Sequence, residues 1–588
     1  MKQIKTLIST FHYNRPAISS RLLLEIVVTF GLILAILIPR LLDLKSFVTT
    51  DERLWLERSG RFYWALAHHD FAATFQKSHP GVTVMWAGLV GYRAVFPNYY
   101  QEGKNKPISL YRIEQIERES NLPLRLLIAG RMTMVVIHLI VLILSFLFAS
   151  RIFGKLPALI GFLLIAFDPF HIALSTVLHL DGLLADLGLL SLLAFLVYLN
   201  ERDNMALVVS AIAAGSAWLT KSPGFFLIPV IFLLALIDFV RSKNTWVKAG
   251  WSKPAFHYMK ALMGWGVIAL LIFCLLWPAM WVDPVGSLSR VLTDAIGYAE
   301  GGHESALFFN GHIYTNGEIP DSSFYLISFL WRTTPVTLLG LLTAFVLLIR
   351  WTLGFRLDRK SNFPAVHDAL GPNDRQMWAV VALLILALGF GALMSMGLKK
   401  FDRYIIPSIV LLDLVAGVGL VWLAGWIGQY LRDEWKATVH SLLLLAFVAV
   451  QAMLAWRSFP YFISYYNPML GGSRQAIKVM QVGWGEGLDQ AAQYINSQPN
   501  SDRIRVISWY GSGSFSYFSK SRVIPTIYDH PWTAADWNQF NKANYVVVYI
   551  HEWQRNLPPE ILERVRDTKP EYSVWIDGLE YVRVYKIQ

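Results

Sequence analysis

Asp51 and Glu52 stand side by side in "TTDERLWLERSGRF", just beyond the first apolar run of the chain. Adjacent carboxylates can act as a base and a metal ligand, or as a base and a hydrogen-bond acceptor. The same residues also suit the first turn of a helix, with Thr49 or Thr50 as its cap. Both readings are compatible, because a capped helix would hold Asp51 rigidly. Far downstream, "KKFDRYIIPS" crowds Lys399, Lys400 and Arg403 between two apolar runs. Arg grips a phosphate in fork geometry and Lys as a point charge. The plainer alternative is that these residues snorkel to head groups or pair with Asp402.

Three further stretches carry polar residues. In "FQKSHPGVTVMWAG", His79-Pro80-Gly81 reads as a turn, and Lys77 and His79 could touch a phosphate or simply lie on the surface. In "STVLHLDGLLAD", Asp181 could orient a sugar or a cation, or cap a helix. Asp186 falls inside the next apolar run and must find a partner there. The stretch "AIGYAEGGHESALFFNGHIYTNGEIPDSSFYLISFLWRTTP" holds His303, Glu304, His312, Glu318 and Asp321 among glycines and aromatics, suited to carbohydrate or acyl contact. His303 and Glu304 show no recognised metal spacing. Lys221 in "LTKSP" and Arg332 in "LWRTTP" add two cations.

The elements that must position these residues are membrane helices. Of 588 residues, 55% are hydrophobic and only 16% are charged, where soluble proteins carry about a quarter. The apolar residues come in blocks of about 20, the length that crosses a hydrocarbon core. Hydropathy predicts about eleven transmembrane helices, at 22–38, 124–149, 156–170, 181–199, 206–219, 223–240, 261–281, 324–349, 379–398, 405–427 and 441–456. Thr220–Pro223 breaks one long run, since Pro removes a helix hydrogen bond. The net charge of +11 fits Lys- and Arg-rich cytoplasmic loops, not nucleic acid. Cys274, the one cysteine, excludes an intrachain disulfide and a Cys-based metal site. No cleaved signal pattern precedes the first apolar run, which is expected to remain as an anchor.

With the basic N-terminus inside, the basic connections at 151–155, 241–260 and 350–375 also fall inside. The loops 43–123 and 282–323 then fall outside, as does everything after Arg457. On that count Lys399, Lys400 and Arg403 defy the positive-inside bias, which marks a functional site. The expected division is a membrane part, 1–457, and a small extracytoplasmic α/β domain, 458–588. The latter rests on the strand-like runs "RIRVISWYG", "NYVVVYIHEW" and "EYVRVYKI" after a helical stretch. Acids and bases from distant segments thus converge on one face. That suits transfer of a group from a lipid-linked phosphate, with a carboxylate deprotonating the acceptor and cations stabilising the departing phosphate. No nucleotide-binding loop is present or needed. The competing readings are a transporter or flippase of a lipid-linked or anionic substrate, and a non-catalytic envelope scaffold.

Taken in order, "TTDERLWLERSGRF", "HPGVT", "HLDGLLAD", "LTKSPG", "EIPDSSFYLISFLWRTTP" and "KKFDRYIIPS" resemble the GT-C membrane glycosyltransferases. Among these the sequence looks most like a bacterial member of glycosyltransferase family 39, which holds the protein O-mannosyltransferases and the aminoarabinose transferase of lipid A. The resemblance spans residues 21–456. It implies an inverting transferase in the inner membrane, using a polyprenyl-phosphate sugar and a lipid, glycan or protein acceptor. It further implies Asp51 as base with Glu52 beside it, Asp181 as the acid of the second outer loop, and a donor phosphate held by Lys399, Lys400 and Arg403. Read from the residues themselves, Lys221 is expected near that phosphate, and His79, His303 and Glu304, with Asp181, are expected to contact substrate. No cofactor is implied, and no metal is expected, because no ligand set stands out beyond the carboxylates. The tail does not look like the β-trefoil insert of the eukaryotic mannosyltransferases, which leaves the acceptor open.

Overall fold

The computed structural model describes residues 20–42, 44–102, 106–116, 121–242, 250–301, 306–315, 318–352, 373–527 and 530–587. Eight helices among them are long and apolar enough to cross a membrane, or nine if one bent pair counts as a span. The other expected spans fall on Ser20–Leu41 and on the shorter apolar helix Asn204–Thr220. The chain is thus a polytopic helical membrane protein.

The expected span at 261–281 ends as a helix at Leu275 and resumes in the short helix Ala279–Val282, and two others split into longer pieces. The run at 156–170 becomes Lys155–Ala166 and Pro169–Thr176, bent by 66°, with Asp168 capping the second helix through the His171 amide. The run at 324–349 splits into Phe324–Arg332 and Pro335–Thr352. In these two a proline that opens the second helix cannot continue the first. The break at Thr220–Pro223 is present as expected, with a 3-10 turn over Ser222–Phe226.

Small residues let the central helices approach closely. A Cβ on Gly417 would lie 2.4 Å from Gly161 Cα. Asp181–Glu201 and Ile406–Gly428, both almost wholly buried, form the centre of the bundle. Beyond the bundle, Thr50–Ala67 and Val82–Val95 pack on its end. The HPG turn between them is real. Gly81 has φ +59°, and a Cβ there would meet the Trp55 ring at 2.1 Å. Pro284–Glu300 leaves Val285, Leu292 and Ile296 exposed on its surface, as an interfacial helix would.

After Arg457 the chain forms a five-stranded sheet. Its strands are β3 (Arg505–Ser508), β4 (Arg522–Pro525), β5 (Tyr545–Tyr549), β6 (Tyr572–Ile576) and β7 (Leu579–Lys586), following a hairpin of β1 (Leu307–Phe309) and β2 (His312–Tyr314) in the preceding loop. The order is β4-β3-β5-β7-β6. β3 runs parallel to β4 and β5, and β7 antiparallel to β5 and β6. This unit is fastened to the bundle by backbone contacts. Arg332 donates to the carbonyls of Ile463 (2.7 Å) and Tyr465 (2.8 Å), and the Asn310 amide donates to the Val479 carbonyl at 2.7 Å. Gly485 sits so close to the Val48 carbonyl that a Cβ would approach it to 2.4 Å.

Candidate active site

Asp51 and Glu52 are neighbours with opposite fates. Thr49 caps Thr50–Ala67 in a capping box: its hydroxyl accepts from the Glu52 amide at 3.3 Å, and Glu52 accepts from the Thr49 amide at 2.9 Å. Glu52 is fully buried. Arg131, from the helix Leu122–Phe153, grips both its oxygens at 2.6 Å, and the Leu178 amide adds a bond at 2.9 Å. Arg131 also donates to the Leu44 and Phe47 carbonyls. Glu52 is therefore committed to structure, which corrects its expected catalytic part. Every acceptor position that could meet a substrate is taken, and the residue ties three segments together behind Asp51.

Asp51 points the other way, its side chain 30% exposed. Its Oδ2 accepts from Arg403 Nη2 at 3.0 Å, across 352 residues of sequence. His179 Nε2 lies 3.4 Å away. Asp181, buried, takes the Lys221 ammonium at 2.6 Å. Arg403 Nε lies 3.2 Å from Asp181 Oδ2, but the two are not aligned as a hydrogen bond. One guanidinium is thus shared between two carboxylates. Lys221 Nζ also rests over the Tyr404 ring, 3.8 Å from its centroid. Burial raises the Asp51 pKa. The hydrogen bond from His179 and the charges of Arg403, His179 and Lys221 outweigh it and hold the carboxyl well below the usual range.

The other expected residues divide. His79 lies near this cluster, bonded to Ser222 Oγ at 3.0 Å. Burial, then Lys221 and Lys77, push its pKa down to about 3, so its imidazole is neutral. Lys399 is close enough to act on His79 in the same sense. Lys400 does not join the cluster: it is buried, and its ammonium donates to the Ser395 carbonyl at 2.9 Å. His303 and Glu304 lie outside the described residues. Arg332, noted in the sequence only as one more cation, holds Asp402 at 2.6 Å. Asp402 is thereby taken away from Arg403, leaving that guanidinium for Asp51 and Asp181.

A cavity of about 530 Å³ opens over Asp51 and Arg403, within the range of ligand pockets. The bundle supplies one wall, including Thr50, Leu54, Arg332 and Phe401. The C-terminal unit supplies the other. Trp484 is the joint between them: its ring lies 4.5 Å from the Arg403 guanidinium and 5.1 Å from the His179 ring. Neither Trp484 nor Arg131 drew attention in the sequence. An Arg inside an apolar run was the one available signal for Arg131.

Asp186 finds the partner it needs. His138 and His171 bond its two oxygens at 2.6 and 2.8 Å, all buried. Among the described residues these three form the one group whose ligand atoms converge for a metal, within 4.8 Å. The tautomers argue against that use. Arg40 Nη2 lies 2.8 Å from His171 Nδ1 and can only donate. His171 Nε2 then carries the proton it gives to Asp186, and His138 Nδ1 likewise donates to a carboxylate. No lone pair of either ring faces a shared centre.

A long-helix bundle with an acid–base cluster at one end and a cavity above it defines a multi-pass membrane protein with an enzyme-like site. Residues 126–277 match the family described as dolichyl-phosphate-mannose-protein mannosyltransferase, which bears out the resemblance to GT-C glycosyltransferases of family 39. No curated protein matches the chain. Among solved structures it is similar to ArnT from Cupriavidus metallidurans bound to undecaprenyl phosphate, at 14% identity and a TM-score of 0.45, over 97% of this chain and 98% of that one. The S. cerevisiae protein O-mannosyltransferase Pmt1-Pmt2 complex bound to the sugar donor matches at 17% identity and a TM-score of 0.34, over 45% and 34%. The Archaeoglobus fulgidus oligosaccharyltransferase matches at 12% identity and 0.41, over 90% and 68%. These are distant likenesses.

Proposed function

We propose that this chain is an inverting glycosyltransferase that moves a sugar from a polyprenyl-phosphate donor to an acceptor hydroxyl at the non-cytoplasmic membrane face. A glycosyltransferase working with a lipid-linked donor is the class that the family match supports. The observation that carries the finer reading is the sharing of Arg403 between Asp51 and Asp181, with Lys221 beside them. A guanidinium and an ammonium close together suit a phosphate. Pro223 and Gly224, just after Lys221 in the chain, line a narrow apolar cleft with Leu184, Gly188, Leu192, Phe390 and Leu411. A prenyl chain would lie against this apolar surface.

In the resting site Asp51 is a weak base, because the His179 hydrogen bond and then the charges of Arg403, His179 and Lys221 hold its carboxylate charged. A donor phosphate draws Arg403 and Lys221 to itself and so returns basicity to Asp51. Asp51 then takes the proton of the acceptor hydroxyl as that oxygen attacks the anomeric carbon. The bond from that carbon to the phosphate oxygen breaks, and its electron pair leaves on the polyprenyl phosphate, stabilised by the two cations. Attack opposite the leaving group inverts the anomeric centre. Glu52, Arg131 and the Thr49 cap keep Asp51 in place throughout.

The test is release of polyprenyl phosphate from a panel of polyprenyl-phosphate sugars, with native membranes as acceptor source. The wild type should release it from at least one donor and give a product of inverted configuration. Counterflow of the donor with no release would favour a transporter instead.

A further inference from the structure

The C-terminal unit has a crevice of its own. Its strands β4, β3 and β5 are parallel, and their carboxyl ends all face the cavity over Asp51. From β3 the chain goes outward to β4, and from β5 it goes to the opposite side, to β6 and β7. The junction between β3 and β5 is therefore the point where connections diverge, which is where open α/β sheets bind ligands. Each strand end delivers one polar residue there. Tyr510 follows β3, Thr526 follows β4 and His551 follows β5, and all three line the cavity.

The side chains at this point are incompletely used. The Tyr510 hydroxyl bonds His551 Nδ1 at 2.7 Å. His551 is 2% exposed and Thr526 6%; Thr526 Oγ1 makes no hydrogen bond, and His551 Nε2 has only a loose contact with the Gly483 backbone. Buried polar atoms left so are costly unless a ligand completes them. Tyr510 also has φ +50°, a left-handed conformation that is strained for a non-glycine residue and is found most often at functional sites. The surrounding wall is aromatic, with Trp484 and Trp509. Burial and the charge of Arg555 keep the His551 imidazole neutral. A neutral imidazole, a hydroxyl and aromatic faces match a hydroxylated, uncharged ring, not a second phosphate.

We infer that the crevice formed by Tyr510, Thr526 and His551 is a carbohydrate-binding subsite, and that the C-terminal unit thereby forms the sugar-recognising half of the active site. This rests on the transferase reading. The sugar it holds is either that of the donor or that of a glycan acceptor. Both present the same hydroxyl chemistry.

The test uses the full chain in lipid nanodiscs, with His551→Ala and the near-isosteric Thr526→Val. One arm compares binding of a polyprenyl phosphate with that of the same lipid carrying a mannosyl, glucosyl or pentosyl group. The other measures saturation transfer from protein to methyl glycosides by NMR. Bare polyprenyl phosphate should bind both variants as it binds the wild type, which shows that they are folded. If the subsite holds the donor sugar, the added affinity of one glycosylated lipid falls at least tenfold in both variants. If it holds an acceptor glycan, donor binding stays and saturation transfer to a glycoside is lost. Wild-type behaviour of both variants in both arms, or no glycoside and no sugar increment in the wild type, overturns the subsite. Failure of the wild type to bind any polyprenyl phosphate, with glycoside binding retained, overturns the transferase reading and leaves the subsite standing.

Discussion

Two clusters of charged and ionisable side chains sit among the helices of this protein, and they are built to different ends. The deep one joins Arg40, His171, Asp186 and His138, every oxygen of Asp186 taken and all four side chains buried. The outer one joins Asp51, Asp181, Lys221 and Arg403 beneath an open cavity, with Arg403 divided between two acids and one of its contacts out of alignment. The deep cluster is closed to solvent and binds helices together, although His138 Nε2 is left without a hydrogen bond. The outer cluster has contacts that a ligand can improve, and that separates a site from a strut. The same contrast is repeated between two adjacent residues, with Glu52 on the closed side and Asp51 on the open one.

Substitution should split the two clusters cleanly. Asp51→Asn should lower transfer on the order of 10²–10⁴-fold, the usual share of a general base, with thermal stability unchanged. A matching fall in melting temperature would put Asp51 among the struts. Asp186→Ala or Glu52→Ala should instead cost about 3–5 kcal/mol, because each strands a buried arginine or an imidazole pair. The check is thermal or denaturant unfolding in detergent. Stable variants of this kind would erase the distinction. Arg403→Lys should weaken donor binding by about tenfold, since a point charge replaces a fork. Lys400→Met, which removes a side chain outside the cluster, should leave donor KM within about twofold of wild type, less than the tenfold of a lost charge-assisted bond.

The C-terminal wall adds a pH signature. Burial, then Arg555, push the His551 pKa well below its ordinary value, against a smaller opposite pull from the Gly483 backbone. The Tyr510 hydroxyl bonded to its Nδ1 and the Tyr549 ring, 5.4 Å away between centroids, are the other titratable groups facing it. The unfolded chain takes up that proton first, near about pH 6.5. Stability from this residue is therefore present above that pH and declines as pH falls below it. His551→Gln should flatten the decline between about pH 6.5 and 5. An unchanged slope would show that His551 is not held neutral.

Much of this was legible in the sequence because the bilayer is a demanding solvent. Every predicted span falls on helical structure, though some are broken in two, since apolar runs of sufficient length have no other stable form there. The convergence of early acids with late bases was also readable, because the expected orientation put Arg403, with Lys399 and Lys400, where loop charge bias opposes it. The bends at Asp168 and Thr334 were harder to see, as hydropathy averages across a proline. Which of Asp51 and Glu52 faces the cavity depended on Arg131, a partner 79 residues from Glu52. Helical spacing alone does not distinguish neighbours in a first turn. The cavity wall formed by Trp484, Tyr510 and His551 was out of reach for a different reason. It exists only through docking of the sheet on the bundle, and no local pattern reports such a contact.

Polyprenyl phosphate binding to Arg403→Ala and Asp51→Asn, measured side by side with the wild type, tests whether Arg403 passes from the carboxylate to the phosphate. Arg403→Ala should lose most of the affinity, and Asp51→Asn should bind as tightly as the wild type or more tightly, its competing carboxylate gone. Equal binding by wild type and Arg403→Ala, or loss of binding in Asp51→Asn, would contradict it.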